Sequence, residues 1–167
     1  MSQLELDQFD SSVQLRLIKR EDASDLRDVY VDSIQSQAPS FYNNSQIEAW
    51  VALANLPGFF GRPFDEGRGW ALLKRNKIEA FALRYPLDRL ALLYCRGRSS
   101  RKGFANMLLE RIESDCAEEG IKLLSTEASL LSYSLLIRRG WVEKSIEKIE
   151  IAGISFDRYR MFKRLQL

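Results

Sequence analysis

Leu90-Ala91-Leu92-Leu93-Tyr94-Cys95, followed directly by Arg96-Gly97-Arg98-Ser99-Ser100-Arg101-Lys102-Gly103 and then by Phe104-Ala105-Asn106-Met107-Leu108-Leu109, is the stretch on which the reading of this chain turns. The first six residues are continuously apolar, the pattern of a central strand covered on both faces rather than an edge strand. After the basic loop, Phe104, Met107, Leu108, Ile112 and Cys116 recur at helical spacing until Gly120 stops them. The order is therefore strand, basic glycine-containing loop, helix.

A helix N-terminus leaves backbone N–H groups unpaired and carries partial positive charge, so a loop folded around it forms an anion cradle. Gly103 and Ala105 are small enough to let phosphate oxygens approach the backbone, and Arg98, Arg101 and Lys102 add neutralising charge. At roughly 1.5 to 3 kcal/mol for each charge-assisted hydrogen bond, a few such bonds would hold a pyrophosphate firmly. The plainer reading of the same residues is an ordinary helix entry with a solvated basic surface.

Upstream, Val13 to Ile18 reads as a strand, and Leu26, Val29, Tyr30 and Ile34 as the stripe of a helix opened by Glu21-Asp22. A second helix is expected over Gln46 to Leu56, ended by Pro57-Gly58, with an ordered, aromatic-rich loop from Gly58 to Gly69. Trp70 to Leu73 and Ile78 to Leu83 bracket the polar turn Lys74-Arg75-Asn76-Lys77 as a hairpin would. Downstream, Leu123 to Ala128 reads as a strand and Leu130 to Arg139 as a short helix capped by Gly140. Val142 to Ile151 and Ile154 to Phe162, joined at Ala152-Gly153, form a closing hairpin. The expected architecture is α+β: a mixed, mostly antiparallel central sheet flanked by helices, as one domain over 13–167 behind a flexible N-terminus 1–12.

Composition removes several chemistries. With 167 residues and 46% apolar content the chain suits one core. Its formal net charge of +2 gives no global pull toward nucleic acid or membrane. The polar start MSQLELDQFDSS lacks a signal-peptide pattern and no stretch approaches transmembrane length, so a soluble cytoplasmic protein is expected. The chain has no histidine, which excludes His-based triads and the commonest general base. Cys95 and Cys116 form no Cys-x-x-Cys pair, and no metal is expected.

Leu93-Tyr94-Cys95 at the strand end, with Ser100-Arg101-Lys102-Gly103-Phe104-Ala105 after it, resembles the GNAT superfamily of N-acetyltransferases, whose loop Gln/Arg-x-x-Gly-x-Gly/Ala grips the coenzyme A pyrophosphate. Ser100 departs from that pattern. Glu21-Asp22-Ala23, Ile78 to Ala82, Thr126 to Ser129, Arg139-Gly140-Trp141 and Gly153 to Met161 are similar to further stretches of the family, and the resemblance runs from about Val13 to Leu165. It implies acetyl-CoA as co-substrate and a splayed strand pair admitting pantetheine. The backbone of Leu93, Tyr94 and Cys95 would lie along the pantetheine arm, with Arg98, Arg101, Lys102, Gly103, Phe104 and Ala105 around the phosphates. Ser129 and Ser132 would cap the late helix or touch the arm.

Many relatives carry a tyrosine acid four residues before the late glycine, where this chain has Leu136. Tyr133, three residues earlier on nearly the same helix face, is the candidate substitute, against a plain packing role. Glu79 is the carboxylate expected nearest the centre and the candidate base, against an ordinary strand-face role; Glu127 is read the same way. The Phe59 to Trp70 loop is a candidate wall for the acceptor. The expected activity is transfer of an acetyl group to a primary amine of a small molecule or peptide by direct attack. The alternative is a non-catalytic acyl-CoA-binding sensor of the same fold. Nucleic acid and membrane are not expected partners, and a homodimer is compatible with the sequence.

Overall fold

The computed structural model describes residues 12–166, so most of the N-terminal segment expected to be flexible lies outside the described residues. A seven-stranded sheet forms the body of the chain, in the order β1-β2-β3-β4-β5-β7-β6. Its strands are β1 (Val13–Leu17), β2 (Arg68–Lys74), β3 (Lys77–Arg84), β4 (Arg89–Cys95), β5 (Leu123–Ala128), β6 (Val142–Ile151) and β7 (Ile154–Arg164). All neighbouring pairs are antiparallel except β4 with β5, which are parallel. The helices are α1 (Ala23–Gln37), α2 (Asn44–Ala52), α3 (Gly61–Asp65), α4 (Phe104–Glu118) and α5 (Leu130–Arg138). Among the described residues no helix is long and apolar enough to cross a membrane.

Local chemistry accounts for most of these boundaries. Arg75 and Asn76 both take positive φ between β2 and β3, the geometry of a tight hairpin turn that matches strand twist. The start of α2 is set by Asn43, whose side chain accepts Gln46 N–H at 2.9 Å while the Gln46 side chain accepts Asn43 N–H at 3.0 Å. That box moves the helix start ahead of the expected Gln46, and the last residues toward Leu56 form a 3-10 turn, Leu53–Asn55, instead. The segment expected as pure loop before β2 contains the short α3.

One apolar cluster lies between α4 and the sheet, with Leu108, Leu109 and Ile112 against Leu72, Ala80 and Leu90. Two others cover the opposite face: α1 and Phe60 over β2 and β3, then α1 and α2 over the β6–β7 hairpin through Trp50 and Phe156. Strand β4 is sandwiched between these layers, as its unbroken apolar run requires. Yet Leu92, Leu93 and Tyr94 are only half-buried. The reason is that β4 and β5 pair only at Arg89 with Ser125 and Leu90 with Thr126, and then part. Opposite β3, Ala91 is an extra residue between partners Leu90 and Leu92, a bulge that bends β4 where the parting begins.

Candidate functional site

The parted strands leave a cavity of about 190 Å³. Leu92, Leu93 and Tyr94 line it from β4, Ser129, Ser132 and Leu136 from the start and body of α5, and Tyr42, Trp50 and Phe156 from the opposite layer. Ser129 caps α5, its hydroxyl accepting Leu131 N–H at 3.2 Å, and Ser132 Oγ donates to Ser129 O at 3.4 Å. Ser129 thus caps the helix, Ser132 bonds back to it, and both face the cavity. Leu136 is 1% exposed and puts an apolar wall where the family resemblance leads one to expect a phenol.

Beyond the end of β4, the chain makes a 3-10 turn over Gly97–Ser99 and enters α4 through Gly103, whose φ is +82°. That conformation is strained for any residue with a Cβ, which accounts for the glycine. A Cβ at Gly103 would meet no atom within 4 Å, so the space in front of this backbone is open. The N–H groups of Gly103, Phe104, Ala105 and Asn106 find no acceptor among the described residues; the first paired amide of α4 is Met107, donating to Gly103 O at 3.0 Å. Arg101 and Lys102 are exposed beside them. An open, amide-lined, cationic turn fits the oxygens of a phosphate or pyrophosphate. The Phe104 side chain points the other way and is buried in the core, so only its backbone is on offer.

The loop is held in shape from two sides. Glu79 on β3 is 4% exposed. Its carboxylate accepts Arg98 Nε at 3.0 and 3.2 Å, a further close contact from Arg98 Nη2, and Ser99 Oγ at 2.5 Å. Burial works to raise the Glu79 pKa, but the bonds from Arg98 and Ser99 outweigh it and the net shift is downward. From α1, the Asp32 carboxylate accepts Gly97 N–H at 2.8 Å, and Gln37 Nε2 donates to Cys95 O at 2.7 Å. Gly97 lies so close to α1 that a Cβ there would sit 2.4 Å from Ser36 Oγ.

These positions redistribute the expected roles. Leu93, Tyr94, Gly103, Ala105, Arg101, Lys102, Ser129 and Ser132 all border the cavity or the amide-lined turn. Cys95 does not line the cavity; it is 9% exposed, and burial pushes its thiol pKa up to about 12. Arg98 points its guanidinium at Glu79. Glu79, saturated by donors and held as a carboxylate, is a poor base and serves the loop instead. Tyr133 is turned away: its ring packs on Tyr159 with centroids 4.6 Å apart, and its phenol is placed near Glu143. The acid and base roles expected of Tyr133 and Glu79 do not fit these placements.

Glu127 reaches the cavity but is bound to Arg89, whose Nε lies 2.8 Å from Glu127 Oε2. The Phe59 to Trp70 loop does not wall the cavity, because Phe59, Phe60 and Phe64 pack onto the α1 side of β2 and β3. Trp70 instead donates to Asp115 at 2.7 Å. Tyr42, from the segment before α2, lines the cavity as well. Its hydroxyl accepts Leu130 N–H at 2.9 Å at the mouth of α5, and burial raises its pKa.

No family model matches this chain, and no curated protein matches it. Solved structures do. A GCN5-related N-acetyltransferase from Rhodopseudomonas palustris superposes with a TM-score of 0.87 at 23% identity, covering 93% of this chain and 97% of that one. The PaiA N-acetyltransferase of Thermoplasma acidophilum in complex with coenzyme A gives 0.66 at 17% identity, over 92% and 99% of the two chains. The structure of yncA from Salmonella typhimurium with its cofactor acetyl-CoA gives 0.63 at 12% identity, over 93% and 95%. With its parted central strands and the bare helix start beside them, this chain has the fold of the GNAT N-acetyltransferases.

Proposed function

We propose that this protein is an N-acetyltransferase that moves an acetyl group from acetyl-CoA to the primary amine of a small molecule or peptide. One observation carries the reading: unpaired amides from Gly103 to Asn106, in open space, lie just past a strand edge that is itself unpaired and opens on a cavity. A diphosphate at the turn and an extended arm along β4 would use both features together. Gly103, Phe104, Ala105 and Asn106 supply backbone donors, and Arg101 and Lys102 supply charge. The edge of β4 from Ala91 to Tyr94 pairs with the arm as an added strand would, and Ser129 and Ser132 face it across the cavity.

The acetyl thioester supplies an electrophilic carbonyl carbon. The amine nitrogen bonds to that carbon, the C–S bond opens with its electron pair going to sulfur, and the proton shed by nitrogen balances the charge on sulfur. The cavity and its aromatic wall orient the amine, which is the largest service such a reaction needs. Tyr42 is the residue proposed to hand its proton to the leaving sulfur, and the proton shed by nitrogen then restores the phenol, so that one proton moves in all from nitrogen to sulfur. Its hydroxyl already accepts Leu130 N–H, and burial keeps it protonated, so its own proton is available to donate.

The test is Gly103→Asp. Aspartate tolerates this backbone region better than most residues, and its Cβ would meet nothing, so the fold should survive. At about 100 times Kd, acetyl-CoA should stabilise the wild type by about 2.7 kcal/mol, a melting shift of roughly 5 to 11 °C. The variant should show none, because its carboxylate would occupy the phosphate position. A wild type that does not shift, or a variant that shifts equally, refutes the site. Leu136 in the cavity favours one second reading, a protein of this fold that binds acyl-CoA without turnover. Thiol release across a panel of amines separates the two.

A further inference from the structure

The cavity wall bears charged side chains whose hydrogen bonding is uneven, and the free donors say something about the acceptor. Arg89, Glu127, Asp157 and Arg158 all line it. Both carboxylates already hold cations: Glu127 Oε2 takes Arg89 Nε at 2.8 Å, and Asp157 Oδ1 takes Lys148 Nζ at 3.1 Å. The arginines keep donors to spare. Arg89 spends Nε on Glu127 and Nη1 on Tyr85 O at 2.9 Å, while its Nη2 has no acceptor among the described residues. Arg158 binds Glu147 through Nε alone. Glu147 is shared, since it also takes Arg160 Nε at 2.8 Å. Among the residues that line the cavity the charges balance, Arg89 and Arg158 against Glu127 and Asp157, so what distinguishes the arginines is their free donors.

We infer that the acceptor is a small amine that also carries a carboxylate, with Arg89 and Arg158 selecting for it. This deepens the acyltransferase reading above and rests on it. Guanidinium groups are always charged, and their planar donors match a carboxylate in pairs. Here the two side chains are 33% and 34% exposed, sheltered enough for such a pair to count for more than one on an open surface. A polyamine would have to share Glu127 with Arg89 and Asp157 with Lys148, and would leave the free arginine donors unmatched. A neutral amine would leave the arginine donors to water. The cavity, at about 190 Å³, must also admit the thioester end of the arm, so the amine-bearing group that enters it is compact. Tyr42, Trp50 and Phe156 offer it an aromatic wall.

The experiment pairs ligands that differ in one group. Free L-amino acids and their carboxamides are titrated calorimetrically into the full chain, with and without saturating coenzyme A, and spermidine serves as the cationic control. At least one amino acid should bind at least tenfold more tightly than its carboxamide. Arg158→Gln and the charge-retaining Arg158→Lys should both shrink that ratio, without changing the melting shift produced by coenzyme A. Equal binding of acid and carboxamide, no binding of either, tighter binding of spermidine, or an unchanged ratio in both variants overturns the inference. Absence of any coenzyme-induced shift refutes the acyltransferase reading instead, and the titrations without coenzyme still decide the carboxylate question.

Discussion

Replacing Glu79 by glutamine separates a brace from a base. The substitution keeps size and shape but removes the charge that Arg98 and Ser99 bind. A hydrogen bond to a charged group contributes about 1.5 to 3 kcal/mol, whereas an exposed ion pair contributes about 0.2 to 1 kcal/mol. Here Glu79 is 5% exposed at its side chain but Arg98 is 60% exposed, so solvent screens the pair from one side. The bond from the buried Ser99 hydroxyl is not screened. Allowing glutamine to retain one acceptor, the loss should be about 2 kcal/mol, or roughly 4 to 8 °C in melting temperature for a chain of this size. If the loop must be re-ordered to bind, the same energy lowers coenzyme affinity by about thirtyfold.

Differential scanning calorimetry and coenzyme titration read these two quantities. The pH dependence supplies a third. Because the folded pKa of Glu79 lies below its ordinary value, near 4.3, its contribution is complete above that value and is lost as pH falls through the lower folded one. Stability curves of wild type and Glu79→Gln should therefore run parallel from about pH 8 to about pH 5 and converge only in more acid solution. Unchanged melting and unchanged coenzyme affinity would refute the bracing role. A collapse in turnover with both of these intact would return Glu79 to the chemistry as a base.

Tyr42→Phe should lower kcat at least a hundredfold while leaving the acetyl-CoA melting shift in place, and Tyr133→Phe should leave kcat unchanged, both read by steady-state thiol release. The reverse result would exchange their roles. Cys95 and Cys116 are buried thiols with raised pKa values, so a thiol reagent at pH 8 should label neither in the native chain and both after unfolding. Fast native labelling of Cys95 would mean that the end of β4 is open to solvent.

What lies within a few residues is legible in the sequence. The apolar run from Leu90 to Cys95, the helical spacing from Phe104 to Cys116 and the small residues at Gly103 and Ala105 specify strand, turn and bare helix start, because backbone geometry and the orphaned amides of a first helical turn are local properties. The hairpin turns were legible for the same reason. The start of α2 ahead of Gln46 is local too, since Asn43 and Gln46 stand at capping-box spacing in the sequence.

Side-chain direction was another matter. Tyr133 and Leu136 share a helix face by spacing, yet Leu136 enters the cavity and Tyr133 packs on Tyr159, a difference made by β7 rather than by anything in α5. Glu79 lies in sequence well before the loop it braces, and only the antiparallel pairing of β3 with β4 brings it against Arg98 and Ser99. Tyr42, Arg89 and Arg158 come from three distant segments, and no spacing could have joined them. The sequence by itself determined the order of elements and the exposed amides beside the central strand. The tertiary structure alone decided which polar groups meet at the cavity, because pairing between distant strands and helices is set by how the whole core packs.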